Sequence, residues 1–294
     1  MYIARPLRPF AVAGISAITI LAGTAAIAGT ASSSASALYT APPVQGISPA
    51  ACIGVGGSAM CFLGSGNWAG YSATADRPST SFINAQVSFS VPSVNCAVTA
   101  TGYVSDWAGL GGFSQGAGNG TVLEATGVTA HCAGGSASYH AWWETYPRPQ
   151  ADVFSVNPGD AISSGVSYDN SPGVHNGQYH LTFTDRTTGR RFSLWRSCAA
   201  PRCLNTSAEV ISSAPSDANN GLAGSILPLA DYGAANFVGA RITNQRGQAG
   251  GFISRAWPIF WQVNQEGLSS GHTLAAPGPL YGGQAFANTW KHAS

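Results

Sequence analysis

The run Gln86-Val87-Ser88-Phe89-Ser90-Val91 alternates polar and apolar side chains. That is the period of an extended strand with one wet face and one buried face. Tyr179-His180-Leu181-Thr182-Phe183-Thr184 repeats the pattern. Outward from these two, short strand-like runs recur at 68–73, 103–110, 121–129, 138–146, 161–168, 190–195, 207–212, 235–243 and 284–290. Turn chemistry separates them, as in Asn157-Pro158-Gly159-Asp160 and Asp185-Arg186-Thr187-Thr188-Gly189. No long stretch carries 3.6-residue apolar periodicity. Many short strands without intervening helices predict an all-β sandwich or barrel. The antiparallel two-sheet sandwich is favoured, because strands of this length cover each other as two packed layers. Residues 244–280 read as a less regular loop over one face.

Only 9% of the 294 residues are charged and the formal net charge is +1, with no basic or acidic block. Nothing therefore points to nucleic acid or an anionic membrane surface as a partner. Arg5 and Arg8, the apolar run 10–28 and the small-residue site Ala35-Ser36-Ala37 make residues 1–37 a secretory signal peptide. The rival, a membrane anchor, fits the length of that run, but its Ala and Gly content and the cleavage site argue against it. The mature chain is thus expected to be secreted, extracellular and free of the membrane. Residues 38–65, rich in Ala, Gly, Ser and Pro, read as a flexible leader or pro-segment. Residues 66–294 read as one β-sandwich domain, monomeric, with regular structure starting at Asn67.

Six cysteines follow the signal, and an even count in an exported chain predicts disulfides. Neighbours in sequence suggest Cys52–Cys61, Cys96–Cys132 and Cys198–Cys203, among the 15 pairings that six cysteines allow. Zinc is the rival, but no C-x-x-C and no paired His spacing supports it. No metal and no cofactor is expected.

Several motifs then resemble the glutamic peptidases, the eqolisin family. Ser65-Gly66-Asn67-Trp68-Ala69-Gly70-Tyr71 resembles that family's opening strand, and Val87-Ser88-Phe89-Ser90-Val91-Pro92-Ser93-Val94 its next one. Asp106-Trp107-Ala108-Gly109-Leu110-Gly111-Gly112 and Tyr139-His140-Ala141-Trp142-Trp143-Glu144 follow. Pro158-Gly159-Asp160, Asp185-Arg186-Thr187-Thr188-Gly189, Ser207-Ala208-Glu209 and Leu229-Ala230-Asp231-Tyr232-Gly233 come in the same order. The resemblance implies a concanavalin A-like jelly roll and an endopeptidase acting on polypeptides at acidic pH. It also implies a Glu general base that activates water and a Gln that stabilises the oxyanion. The base carries over to Glu209, although Val210 follows it where the family usually has Trp.

The Gln does not carry over. In Val122-Leu123-Glu124-Ala125-Thr126-Gly127-Val128, Ala125 stands where it is expected. Glu124 is next door, and successive strand residues face opposite sides unless a bulge shifts the register. Either Ala125 lies at the site and the donor is lost, or a bulge brings Glu124 in as a second carboxyl beside Glu209. Gln115, in the nearby Gly-rich loop, is another possible donor. Trp68, Trp107, Trp142 and Glu144 are candidate substrate-binding residues, though strand aromatics are as readily core. Three functions follow from these residues. One is a glutamic-type peptidase with activity kept, weakened or lost. Another is an inactive sandwich binding peptides or glycans. A third is a glycoside hydrolase, which needs two carboxylates about 5–9.5 Å apart among Glu124, Glu144 and Glu209.

Overall fold

Strand formation follows the period-2 runs closely. A computed structural model of the chain describes residues 39–40, 42–44, 46–48, 51–75, 81–113, 122–198, 205–217 and 224–293. The expected signal segment, Gln115 and Cys203 lie outside the described residues. The first strands are β1 (Tyr39–Thr40), β2 (Gly46–Ser48), β3 (Cys52–Val55), β4 (Ser58–Ser65), β5 (Trp68–Thr74), β6 (Phe82–Ser90) and β7 (Tyr103–Gly111). Then come β8 (Leu123–Ala133), β9 (Ser136–Thr145), β10 (Ala151–Ser155), β11 (Ala161–Asp169), β12 (Gln178–Asp185), β13 (Arg191–Ser197) and β14 (Ser207–Ser213). The last are β15 (Ser216–Asp217), β16 (Ala234–Asn244), β17 (Ala249–Gly250), β18 (Ile259–Glu266), β19 (Thr273–Pro277) and β20 (Phe286–Trp290). No helix occurs among the described residues.

The ladders build two sheets. The first runs β10-β9-β8-β7-β14-β5-β18-β4, with β3 and β2 on the outer edge of β4. The second runs β13-β12-β11-β6-β16-β20-β19. A short β18–β19 ladder joins them. Only β18 with β4 is parallel among these ladders.

Alternation sorts each strand of the first sheet between two apolar clusters. Ala69, Tyr71 and Ala73 of β5 and Ala208 and Val210 of β14 face inward, onto Val87, Phe89, Leu181, Phe183 and Phe237 of the second sheet. Trp68, Trp107, Leu123, Ala125, Trp142, Ile211 and Trp261 face the other way and form a second cluster. The first sheet is therefore apolar on both faces, which explains the near-continuous burial of β7, β8 and β14. Phe237 packs between Phe89 and Phe286, with ring centroids 5.5 and 5.1 Å away. Truncating such a fully buried ring to Ala costs about 3–5 kcal/mol.

Two stretches differ from the sequence reading. Residues 52–65, read as leader, form β3 and β4, and Cys61 and Leu63 are buried in the second cluster. The Ala, Gly, Ser and Pro content of 38–65 disguised a strand that carries Met60, Phe62 and Leu63. Residues 244–280, read as loop, contain β17, β18 and β19. Phe260, Trp261 and Val263 of β18 are buried on alternating faces. Its Trp261-Gln262-Val263-Asn264 run does alternate, but it is short and set between Gly- and Ser-rich segments that read as loop. Disulfides join Cys52 to Cys61 and Cys96 to Cys132, as expected. Cys198 is also disulfide-bonded.

Candidate active site

Register across the first sheet brings one row of residues together. Trp261 of β18 lies opposite Ser72 of β5, and Ser72 opposite Glu209 of β14. Glu209 lies opposite Gly109 of β7, Gly109 opposite Ala125 of β8, and Ala125 opposite Glu144 of β9. Residues directly opposite in a ladder share a face. The row therefore lies on the outer face, among the second apolar cluster.

Glu209 is fully buried. The Ser72 hydroxyl donates to its Oε1 at 3.3 Å. Ser207, two residues earlier and so on the same face, is a polar neighbour that favours the charged form. The Ser207 oxygen in turn accepts from the Phe113 amide at 3.2 Å. Oε2 of Glu209 is buried with no hydrogen-bond partner. Burial pushes the Glu209 carboxyl well above its usual range, and the two serines offset only part of that. The carboxyl is thus a strong base once ionised, with one oxygen held and one unengaged.

Aromatic rings wall this row. Trp68 and Trp107 meet edge to face at 5.0 Å, and Phe113 lies 5.3 Å from Trp261. Gly109 leaves room for them: a Cβ there would lie 2.9 Å from the Trp107 ring and 2.9 Å from Leu123. Gly112, at φ +90°, turns the chain back so that Phe113 meets Ser207. The three candidate tryptophans are fully buried on this face. Trp107 donates to Ser213 at 2.9 Å, and the Trp142 indole N–H has no acceptor.

An extended strap from the N-terminal side lies against the same face. β1 pairs with β15, and β2 pairs with β4. Between them, the Pro42 carbonyl accepts from the Trp68 indole at 3.0 Å and from the Asn67 amide at 3.1 Å. The Val44 amide donates to the Gly112 carbonyl at 3.0 Å. Val44 packs on the second apolar cluster.

Glu124 points the other way. The ladders on both sides of β8 run without a register shift, so no bulge turns it toward Glu209. It lies between the sheets, 1% exposed, and neither oxygen makes a well-formed hydrogen bond. Tyr179 is its polar neighbour, but the Tyr179 hydroxyl is bonded to Asn205. Burial raises Glu124 to about 8, and the Tyr179 hydroxyl only partly offsets this. Glu144 is fully buried on the Glu209 face, three strands away, or about 14 Å between backbones at normal strand spacing. Glu124 and Glu209 are thus separated by the sheet itself, an arrangement unlike two carboxyls facing across one cleft. Among the described residues, no group of three or more His, Cys, Asp or Glu is placed to hold a metal ion.

Ser72, Ser207, Phe113 and Trp261 were not singled out from sequence. Strand parity offered one signal: Ser72 is four residues after Trp68, and so on the same face. Trp261 was hidden within the stretch read as loop.

The Peptidase A4 family model matches residues 66–274. Among solved structures, the chain is similar to scytalido-glutamic peptidase with a transition state analog inhibitor, at 19% identity and a TM-score of 0.62. That match covers 77% of this chain and 98% of the other. A member of the eqolisin family in a complex with the tripeptide Ala-Ile-His matches at 19% identity and a TM-score of 0.59, over 77% and 98% of the two chains. Aspergilloglutamic peptidase from Aspergillus niger matches at 23% identity and a TM-score of 0.51, over 65% and 99%. At these identities the likeness carries the fold, an eqolisin β-sandwich. None of the curated proteins matches the chain. With its model spanning the region from Gly66 through β5, β14 and β18 to Leu274, the chain belongs to the Peptidase A4 family.

Proposed function

We propose that this chain is a secreted, monomeric endopeptidase that cleaves extracellular polypeptides on the acid side of neutrality, with Glu209 as general base. The observation that carries the reading is the Glu209 carboxyl, one oxygen held by Ser72 and the other unengaged. In this reading Glu209 takes a proton from the attacking oxygen and returns it to the leaving amine. Trp68, Trp107, Trp142 and Glu144 line the face on which the polypeptide lies. The disulfides and the signal-like residues 1–37 support secretion. The strap over Trp68 supports a leader that leaves before substrate enters.

The working range is set from two sides. Glu209 must be ionised to act, so activity rises with pH as that raised group loses its proton. Asp106 and Glu124, buried between the sheets, are raised by burial to about 7 and about 8, and the fold holds them uncharged only below those values. Digestion of casein by the mature protein from pH 2 to 7, beside Glu209→Gln, tests the reading. Loss of a positioned general base lowers the rate about 10²- to 10⁴-fold. Equal cutting by the variant would refute the role of Glu209.

Ala125 favours a second reading. A methyl group stands two strands from Glu209, where the family resemblance places an amide. A sandwich that only binds peptides or glycans would cut nothing at any pH. It would still hold a peptide, and with equal affinity in Glu209→Gln.

A further inference from the structure

We propose that the outer face of the first sheet carries a carboxylate-binding site, made by His131, His140 and the Gln150 amide, through which the protein selects acidic polypeptides. The inference rests on a polypeptide as the ligand of this face and deepens that reading by naming its chemical class.

Strand register assembles the site. Tyr103 of β7 lies opposite His131 of β8, and their rings stack at 4.2 Å and 7°. Thr129, two residues from His131, lies opposite His140 of β9. His131 and His140 are therefore diagonal neighbours, about 7–8 Å apart and within reach of one ligand group. Trp142, two residues from His140, lies opposite Asp152 of β10, so Asp152 is diagonal to His140 in turn. By strand parity these side chains share the outer face with Ala125 and Glu209. Both imidazoles are half-buried, so a ligand can reach them.

Unmatched donors lie beside the two imidazoles. The Thr129 hydroxyl donates to Gln150 Oε1 at 3.1 Å and is 2.6 Å from the Ser105 hydroxyl. With the Thr129 proton used on Gln150, Ser105 is the donor to Thr129, and this relay fixes the Gln150 amide. Gln150 is 8% exposed, and its Nε2 is buried with no hydrogen-bond partner among the described residues. The Trp142 indole N–H, next to His140 on the same face, likewise has no acceptor. A buried donor left unmade costs the desolvation of that group, which a ligand acceptor recovers. Two rings that become cations in acid, with spare N–H donors beside them, call for an acceptor that carries negative charge. A carboxylate supplies that charge on two oxygens.

Acid pH switches the site on, because histidine gains its charge on the acid side of neutrality. Partial burial and the nearby His140 hold His131 below the ordinary histidine range, so it charges fully only in acid or when an anion binds. Asp152 moves the opposite way. Partial desolvation raises its carboxyl, offset in part by His140, so it loses its charge earlier than an ordinary aspartate as pH falls. Acidification thus turns the line from negative to positive, while a glutamate on the ligand stays largely ionised above about pH 4.3. The other titratable groups on this stretch are Tyr103 and Glu144, and the turn before Gln150 adds Tyr146 and Arg148. The segment 226–230, which bridges to Tyr103 through Leu229, has none. His140 lies three strands across and four residues along from Glu209, about 20 Å away at normal strand spacings. About six extended residues span that distance.

Binding to the Glu209→Gln protein tests the site without requiring turnover. The probes are a short acetylated and amidated peptide of alternating glutamate and glycine, its glutamine counterpart, and acetate at the same carboxylate concentration. Calorimetry and histidine side-chain NMR follow each titration at about pH 5 and about pH 7.5. The glutamate peptide is expected to bind at least about 10-fold more tightly than the glutamine peptide at the lower pH, and to lose that preference at the higher. The His131 and His140 signals move, whereas those of His175 and His180, stacked on Trp195, stay. His131→Gln and His140→Gln each erase most of the preference, and Gln150→Leu weakens it. Asp152→Asn strengthens it and extends it toward neutral pH. Thermal unfolding verifies that each variant keeps the sandwich. Equal binding of the two peptides at the lower pH overturns the inference, and acetate binding as tightly as the glutamate peptide overturns its assignment to polypeptides. Charge-selective binding in a protein whose wild type cuts no casein upholds the site and sinks the peptidase reading. Casein cleavage without charge selectivity does the reverse.

Discussion

Replacing Glu124 by Gln should remove much of the pH dependence of this protein's stability. Glu124 lies between the sheets, and burial raises its carboxyl from 4.5 to about 8. As pH rises past 4.5, the unfolded chain ionises first while the folded chain keeps its proton. Between those two values the folded state binds more protons, so stability falls with rising pH. The contribution is complete below about 4.5 and lost above about 8. A gap of about 3.5 pH units corresponds to about 5 kcal/mol. For a domain of this size that is about 10–20 °C in Tm. Gln is nearly isosteric and stays neutral, and the Tyr179 oxygen can accept from its amide. The assay is thermal unfolding of wild type and Glu124→Gln at pH 4.5 and pH 8. Wild type should lose Tm steeply toward pH 8, and the variant should lose about 10 °C less. Asp106 supplies a separate share between 3.8 and about 7, so the variant's curve is flatter but not flat. Equal Tm losses in the two proteins would refute the reasoning, since the buried acid would then not be charging in the fold.

Asp106→Asn should likewise flatten stability, mainly below pH 7, because the Ser212 hydroxyl at 2.5 Å can turn to serve either side chain; scanning calorimetry across pH 4–7 checks it. Ala125→Gln should raise casein cleavage up to about 100-fold if the missing amide limits the rate. Crowding beside Leu123 and Trp107 should cost about 1–3 kcal/mol of stability; a folded variant with unchanged turnover would count against that limit. Removing Cys96–Cys132, which closes 36 residues of sequence, should cost about 4 kcal/mol on the loop-entropy account, read as a lower denaturation midpoint for the double Ala variant.

Alternation in residues such as Gln86–Val91 carried the all-β fold, because a half-buried strand writes its two environments into successive residues. Where a strand is short and set within Gly-, Ser- and Ala-rich sequence, as β4 and β18 are, that signal is diluted, and both stretches read as irregular. The motif order points to Glu209 and leaves Ala125 where the resemblance expects an amide. Strand parity had already set Glu124 against Ala125, and the unshifted β7–β8–β9 ladders left Glu124 inside the sandwich. Parity put Ser72 on the Trp68 face, but its partnership with Glu209 is set only by strand pairing. Ser72 stands 137 positions from Glu209 in the chain, and nothing local to either residue records which strand will lie beside which. Sequence periodicity reports the environment of each residue, whereas the partners of a side chain are fixed by long-range ladders that form only when the whole sheet closes.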